Sequence, residues 1–218
     1  MHDHHDSADT LGLHFFGNMT ASISHELKNA LAIVNENGGL LGDLALLMEK
    51  GRPLDPERLK TISGNIRKQV QRADDIVRRL NRFAHSAHEP ATTGDVAEVL
   101  EFTVTLAARL ATMKGVTMTV AQGAPVPLET RPFLLENMLW LCLKHLFVLS
   151  EGNQSVEFTA EAAGADVQIG LRFGEGLPAA EIEKRVAREG QPLLAELQAE
   201  LRSEADRLFL TIPQKAAR

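Results

Sequence analysis

The sequence predicts a protein of two parts, a helical hairpin followed by an α/β sandwich, so that the fold class is α + α/β. Two observations predict it. Apolar residues recur at helical spacing up to about residue 83, and beyond a polar linker short alternating segments typical of strands are mixed with helical ones. We therefore expect two domains, 1–88 and 95–218.

Two long helices are predicted in the first part. The first covers residues 9–50, where apolar positions follow the helical period. The segment "EKGRPLDPE" ends it, since Gly51 and Pro53 break a helix and Asp55 can cap the next one, which runs to about Phe83. A pair of helices leaves part of its apolar surface uncovered, so we expect two hairpins to form a four-helix bundle and the protein to be a homodimer.

The second part is predicted to mix helices and strands around one sheet. A linker of small, polar and turn residues at 86–95 precedes it, and apolar residues alternate on both sides of Gly164, as in a β-hairpin. In order, the predicted elements are helix 96–115, strand 116–120, helix 132–149, hairpin 155–173, helices 179–189 and 192–203, and strand 207–212.

Composition argues against several classes of function. A net charge of −6 does not suit a nucleic-acid partner, which needs a clustered basic surface. The most apolar stretch, residues 133–149, contains Glu136, Lys144 and His145 and is too short and too polar for a bilayer span. The start of the chain lacks the features of a signal peptide, and the single cysteine, Cys142, can form no internal disulfide. We expect a cytoplasmic protein that binds neither nucleic acid nor membrane.

The opening "HDHHD" contains three histidines, His2, His4 and His5. They could bind a transition metal, or they could belong to a solvated terminus. Because nothing in the sequence preforms a metal geometry there, we favour the solvated terminus and predict no metal site.

The segment "ISHELKNALAIV" sets a histidine into an apolar helical run. His25 lies about 200° around the helix axis from Ile23, a member of the apolar stripe, so its side chain should face outward. A neutral imidazole is a nucleophile near pH 7. Glu26 can hydrogen-bond one ring nitrogen or accept its proton, and Asn29, one turn on, can orient a water or a phosphoryl oxygen.

The same helix face offers a surface for a partner protein. Lys28 adds a positive charge near the histidine, and the face continues through Ala32, Glu36 and Gly39. A glycine inside a helix costs about 1 kcal/mol relative to alanine, which a smooth surface for a closely approaching partner can offset. The alternatives are a surface histidine among ordinary solvated charges and a local kink at the glycines.

The segment "SHELKNALAIV" closely resembles the phosphoacceptor box of the histidine-kinase dimerisation and phosphotransfer domain, which typically reads His-Glu-hydrophobic-basic-Asn-Pro-Leu. Ala30 replaces the common proline, and the resemblance extends over the hairpin to about Phe83. It implies that His25 carries the phosphoryl group, that Glu26 is the general base of autophosphorylation, and that Asn29 supports phosphatase action.

The second part resembles the GHKL-type ATPase domain that follows in the same family, but its nucleotide-binding residues are missing. Leu141 and His145 stand where the family pattern has asparagines for Mg²⁺ and phosphate. Arg172 replaces the aspartate of the adenine motif Asp-x-Gly-x-Gly, and a guanidinium cannot accept a hydrogen bond from an adenine amino group. The glycine-rich lid is absent, since Gly190 alone remains between Pro178 and the last strand. We expect no cofactor on this chain.

Together these features resemble the ChpT-like class of dimeric histidine phosphotransferases, whose kinase-like domain is degenerate. The resemblance implies that His25 takes a phosphoryl group from a receiver-domain aspartate and passes it to another receiver, with Mg²⁺ supplied by the receiver. The activity would be that of a phosphotransferase and not of an ATP-dependent kinase. The alternatives are a sensor-less histidine kinase with a divergent ATP site, a response-regulator phosphatase that needs Asn29, and a non-catalytic dimeric scaffold.

Overall fold

The computed structural model describes residues 7–174 and 176–215. Two long helices come first, α1 (Ala8–Glu49) and α2 (Pro56–Ser86), and their order before a sheet-containing part confirms the predicted fold class. The other elements follow in the order β1 (Thr92–Asp95), α3 (Val96–Met113), β2 (Val116–Val120), β3 (Pro127–Thr130), α4 (Pro132–Leu149), β4 (Gln154–Ala163), β5 (Asp166–Phe173), α5 (Ala179–Glu189), α6 (Gln191–Leu197), β6 (Glu200–Glu204) and β7 (Arg207–Pro213).

The helical hairpin is built on seven-residue spacing. Its turn contains Gly51 at a positive φ of 75°, and the Asp55 carboxylate accepts a hydrogen bond from the backbone N–H of Glu57 at the start of α2. The buried positions that recur at multiples of seven are Ile23, Ala30, Asn37 and Leu44 on α1 and Ile62, Ile76 and Phe83 on α2. This period is typical of helices that pack as coiled-coil-like bundles.

The main sheet has five strands in the order β2–β4–β5–β7–β6, with β2 and β4 parallel and the other neighbours antiparallel. Gly164, at φ 70°, lies in the turn of the predicted β4–β5 hairpin. Helix α3 contacts β2, α5 contacts β6 and β7, and α4 contacts α3, α5 and α6. Buried apolar side chains of the three central strands alternate along each strand: Val156, Phe158, Val167, Ile169, Leu171, Leu208 and Leu210.

The described residues form two compact units. One comprises residues 20–84, and the other joins residues 7–19 to the part from residue 85 onward. In this second unit Phe15 of α1 stacks on Trp140 of α4, with ring centroids 6.5 Å apart, and lies 5.3 Å from the ring of Phe133. The first turns of α1 therefore belong with the sheet, whereas the sequence suggested a single boundary near residue 88.

The prediction of a helix over 192–203 was wrong in its second half. Helix α6 ends at Leu197 because Gln198 adopts a left-handed conformation with φ 53°, and Glu200–Glu204 forms β6. Strands β1 and β3 were not predicted. They pair with each other as a small antiparallel sheet, and β1 lies inside the predicted linker.

Two described helices, Ala8–Glu49 and Pro132–Leu149, are long and apolar enough to span a membrane by length and composition. The core helix of a soluble protein passes the same test, and Pro132–Leu149 is largely buried inside its unit. The predicted interpretation of His2, His4 and His5 lies outside the described residues.

Candidate functional site

His25 lies on the outward face of α1. Its side chain is exposed, as are those of Lys28 and Asn29, whereas Ile23 and Ala30 on the opposite face are 1% and 0% exposed. This arrangement agrees with the direction that the helical spacing predicts for the imidazole. A second protein can therefore reach the ring.

The imidazole of His25 contacts the amide of Asn29 one turn along the helix. The distance from His25 Nδ1 to Asn29 Nδ2 is 3.3 Å. An amide NH₂ group only donates, so Nδ1 accepts and the neutral ring carries its proton at Nε2. If the amide is rotated by 180°, its carbonyl oxygen faces Nδ1 and can accept a proton carried there. In that tautomer the lone pair of Nε2 is free. Asn29 therefore influences which ring nitrogen can react.

Glu26 is placed differently from the expectation. Its Oε2 lies 3.4 Å from Nη1 of Arg79 on α2, and the two side chains are only 12% and 18% exposed. The ring contact predicted for Glu26 is made instead by Asn29. Solvent screens such a sheltered ion pair less than an exposed one. Glu26 thus joins the two helices of the hairpin at the position next to His25.

The predicted partner-docking face is open. Ala32, Glu36 and Gly39 are exposed, and a Cβ added to Gly39 would meet no atom within 4 Å. The α-helix is continuous through these residues from Ala8 to Glu49. The face therefore remains a regular helical surface that lacks side-chain bulk at Gly39.

Helix α5 covers the positions on α4 that the family resemblance assigns to Mg²⁺ and phosphate. Leu141 is 3% exposed, and a Cβ added to Gly190 would lie 2.7 Å from its Cδ2 atom. The next position, His145, is one turn along and bonds to Glu189 at the end of α5. Both positions are thus filled by contacts within the chain.

Glu189 fastens α5 to α4 through two side chains. Its Oε1 accepts a hydrogen bond from Lys144 Nζ at 2.6 Å, and its Oε2 lies 2.7 Å from His145 Nε2. Burial, together with the nearby charges of Lys144 and Arg185, lowers the pKa of His145 despite Glu189, so the neutral ring donates from Nε2. Burial would raise the pKa of Glu189, but Lys144 and His145 lower it overall and keep the carboxylate charged. His145 is therefore a hydrogen-bonded structural histidine.

Arg172, at the position of the adenine-binding aspartate, belongs to a cross-strand ion pair. It lies opposite Glu157 in the β4–β5 register, with Nη2 2.8 Å from Oε2. Such pairs stabilise neighbouring strands at a solvated surface. Beyond Pro178 the chain forms α5 and α6, which meet at Gly190, in the stretch where the sequence resemblance would place a glycine-rich lid.

Helix α4 also contributes two core residues. Trp140 and Cys142 are core residues, 8% and 0% exposed, and burial raises the pKa of the Cys142 thiol to about 12.

Sequence reasoning missed Arg79 and Glu189. Arg79 belongs to a run of charged residues in which nothing distinguishes it from its neighbours, and Glu189 carries only the signal of preceding Gly190.

No protein-family model matches the chain, and no curated protein sequence matches it. Among solved structures it is similar to histidine kinase ThkA in complex with response regulator protein TrrA, with 14% identity, a TM-score of 0.47, and coverage of 93% of this chain and 63% of that one. A histidine kinase from Burkholderia phymatum gives 12% identity, a TM-score of 0.48, and coverage of 92% and 98%. Histidine kinase AdeS of Acinetobacter baumannii gives 12% identity and a TM-score of 0.45, with coverage of 88% of this chain and 98% of that one.

Proposed function

We propose that the chain is a phosphorelay protein of a two-component system. His25 accepts a phosphoryl group from the aspartate of a response-regulator receiver domain and passes it to another receiver. The observation that carries the proposal is the exposed imidazole, hydrogen-bonded to Asn29 on an open helix face.

The transfer conserves atoms and charge. A ring nitrogen of His25 attacks the phosphorus of the aspartyl phosphate while the bond from phosphorus to the carboxylate oxygen breaks, and the ring proton leaves to water. Charge builds on the oxygens of the transferring group, so a nearby cation stabilises it. Lys28 is exposed on the same helix and can supply that charge. Mg²⁺ is expected from the receiver, as the family resemblance implies.

The second unit supports transfer without ATP. Leu141 has no atom that could coordinate Mg²⁺, which prefers oxygen ligands, and it packs against Gly190. The His145 ring is engaged by Glu189, and Arg172 is engaged by Glu157. A nucleotide would have to displace the end of α5 to reach Leu141 and His145. We therefore assign the domain a structural role.

The exposed apolar side chains of the hairpin support a homodimer. They lie on helices with a seven-residue period, and a second hairpin would cover them in a four-helix bundle. These side chains are Leu31, Leu40, Leu46, Leu47, Met48, Val70 and Val77. We place the dimer in the cytoplasm, where receivers are found, with neither nucleic acid nor membrane as a partner.

Asn29 supports a second candidate function, dephosphorylation of a receiver. Its exposed amide can orient a water against a receiver's aspartyl phosphate without a covalent step at His25. If this is the activity, Asn29→Ala abolishes loss of label from the receiver and His25→Ala does not.

Mapping of the modified residue tests the main proposal. The protein is incubated with a purified phosphorylated receiver, and phosphorylated peptides are identified by mass spectrometry under neutral conditions. We expect phosphate on His25 in the wild type and in His14→Ala, an exposed histidine on the same helix, and none in His25→Ala. Phosphate on His14, or equal labelling of His25→Ala, would overturn the proposal.

A further inference from the structure

The ion pair between Glu26 and Arg79 differs from the Lys60–Glu57 and Arg78–Asp74 pairs of the hairpin. Its side chains are 12% and 18% exposed, whereas those of Arg78 and Asp74, next to it on α2, are 73% and 50% exposed. It also joins α1 to α2, while the Arg78–Asp74 pair lies within one helix. Two neighbouring arginines thus have different surroundings, which the local sequence does not show.

We propose that Arg79 is a positioning residue of the His25 site. It holds the Glu26 carboxylate against α2 and neutralises its charge, so that an incoming phosphoryl group meets the imidazole without a free carboxylate beside it. The inference rests on the proposed function of His25, and it assigns a role to a residue on the second helix.

The electrostatic reason is the charge of the transferring group. A phosphoryl group in transfer carries negative charge on its oxygens, and a neighbouring uncompensated carboxylate repels it. Glu26 is adjacent to the nucleophile in sequence, so its charge is close to the reaction whichever rotamer it adopts. Paired with Arg79, the carboxylate contributes little net charge at the site.

The conformational reason is competition for the imidazole. When one partner of a sheltered ion pair is removed, the other is left uncompensated and seeks a new hydrogen-bond donor. For a released Glu26 the N–H of the adjacent His25 ring is such a donor. That bond would draw the imidazole away from the orientation in which Asn29 contacts Nδ1 at 3.3 Å.

A chemical phosphorylation assay tests this without any receiver. Potassium phosphoramidate transfers its phosphoryl group to an imidazole: a ring nitrogen attacks phosphorus, the P–N bond of phosphoramidate breaks, and ammonia leaves with the ring proton. The rate of His25 labelling is compared in five proteins of 218 residues: the wild type, Arg79→Gln, Arg78→Gln, Glu26→Gln and the double variant Glu26→Gln/Arg79→Gln. Arg78 provides the matched control because it is the next residue on the same helix.

We expect Arg79→Gln to slow labelling of His25 by about tenfold and Arg78→Gln to change it by less than about twofold. Adding Glu26→Gln to Arg79→Gln should restore the rate to that of Glu26→Gln alone, because no uncompensated carboxylate remains. A merely structural role for Arg79 would give no such rescue.

The proposal is overturned if Arg79→Gln labels as fast as the wild type, or if the double variant stays as slow as Arg79→Gln while both keep wild-type circular dichroism. Should Arg79→Gln fail to fold, Arg79→Lys keeps the positive charge and must label within about twofold of the wild type. Labelling by phosphoramidate needs no receiver. If Arg79→Gln slows this labelling but the wild type takes no phosphate from any receiver, the proposed function is contradicted while the role of Arg79 at the His25 site stands.

Discussion

Gly190 lies against Leu141 so closely that a Cβ on the glycine would come within 2.7 Å of the leucine Cδ2 atom. The contact places the junction of α5 and α6 on the face of α4 that contains Leu141 and His145. Glu189, one residue earlier, bonds to Lys144 and His145 on the same helix. The close approach requires a residue without a side chain, which explains the one glycine left in this stretch.

Substitution of that glycine should destabilise the second unit. In Gly190→Ala the new Cβ would also meet the backbone oxygen of Val186 at 2.9 Å, and such overpacking costs about 1–3 kcal/mol. Gly17→Ala is the control, because its Cβ meets no atom within 4 Å and alanine favours the helix by up to about 1 kcal/mol. Unfolding in urea measures the free energy of unfolding of both variants. An unchanged midpoint for Gly190→Ala would mean that α5 does not pack on Leu141.

The contact of α5 with α4 should weaken in acid. The folded pKa of His145 is below its usual 6.5, so the unfolded chain binds more protons and the free energy of unfolding falls as the pH drops below about 6.5. The lowered pKa of Glu189 acts in the same direction, and its contribution is lost as the pH falls below the usual 4.5. In His145→Leu the decrease between about pH 7 and pH 5.5 should become smaller. An unaltered pH dependence, with exposed His88→Ala as the control, would contradict this assignment.

The exposed apolar residues of the hairpin should mediate the dimer. A charge at Leu46 or Val70, which are 55% and 53% exposed, would have to be buried without a partner in a four-helix bundle. We expect Leu46→Glu and Val70→Glu to sediment as monomers. Met113, a residue of the other unit, is 66% exposed, and Met113→Glu should sediment as the wild type does. A monomeric wild type would contradict the bundle.

A side chain added at Gly39, on the helix face below His25, should leave the fold stable but reduce phosphoryl transfer. Gly39→Glu places bulk and charge where the helix is open, and glutamate favours a helix over glycine by up to about 1 kcal/mol. Unfolding in urea should therefore show equal or greater stability, while transfer from a labelled receiver falls by about tenfold. Gly17→Glu, exposed on the same helix but in the other unit, is the control. Unimpaired transfer by Gly39→Glu would place the docking surface elsewhere.

Local sequence patterns predicted the helices and the central hairpin because each depends on neighbours within a few residues. The site contact between His25 and Asn29 was predictable for the same reason, since the residues are one turn apart. Contacts between residues far apart in the sequence were not predictable. Strand β6 lies in a sequence with helical character and forms only because β7 supplies its hydrogen bonds. Arg79 meets Glu26 across 53 positions of the chain, and no local signal indicates such a pair.

The most direct test of the account is a comparison of two phosphoryl donors. Purified protein is incubated either with ³²P-labelled ATP and Mg²⁺ alone or with receivers of its own organism carrying labelled aspartyl phosphate and freed of nucleotide, and acid-labile, base-stable label is measured. The account predicts label on the wild type from a receiver and none from ATP, none on His25→Ala, and movement of the label to a second, unphosphorylated receiver. Label on His25 from ATP, with none from the receivers, would contradict it.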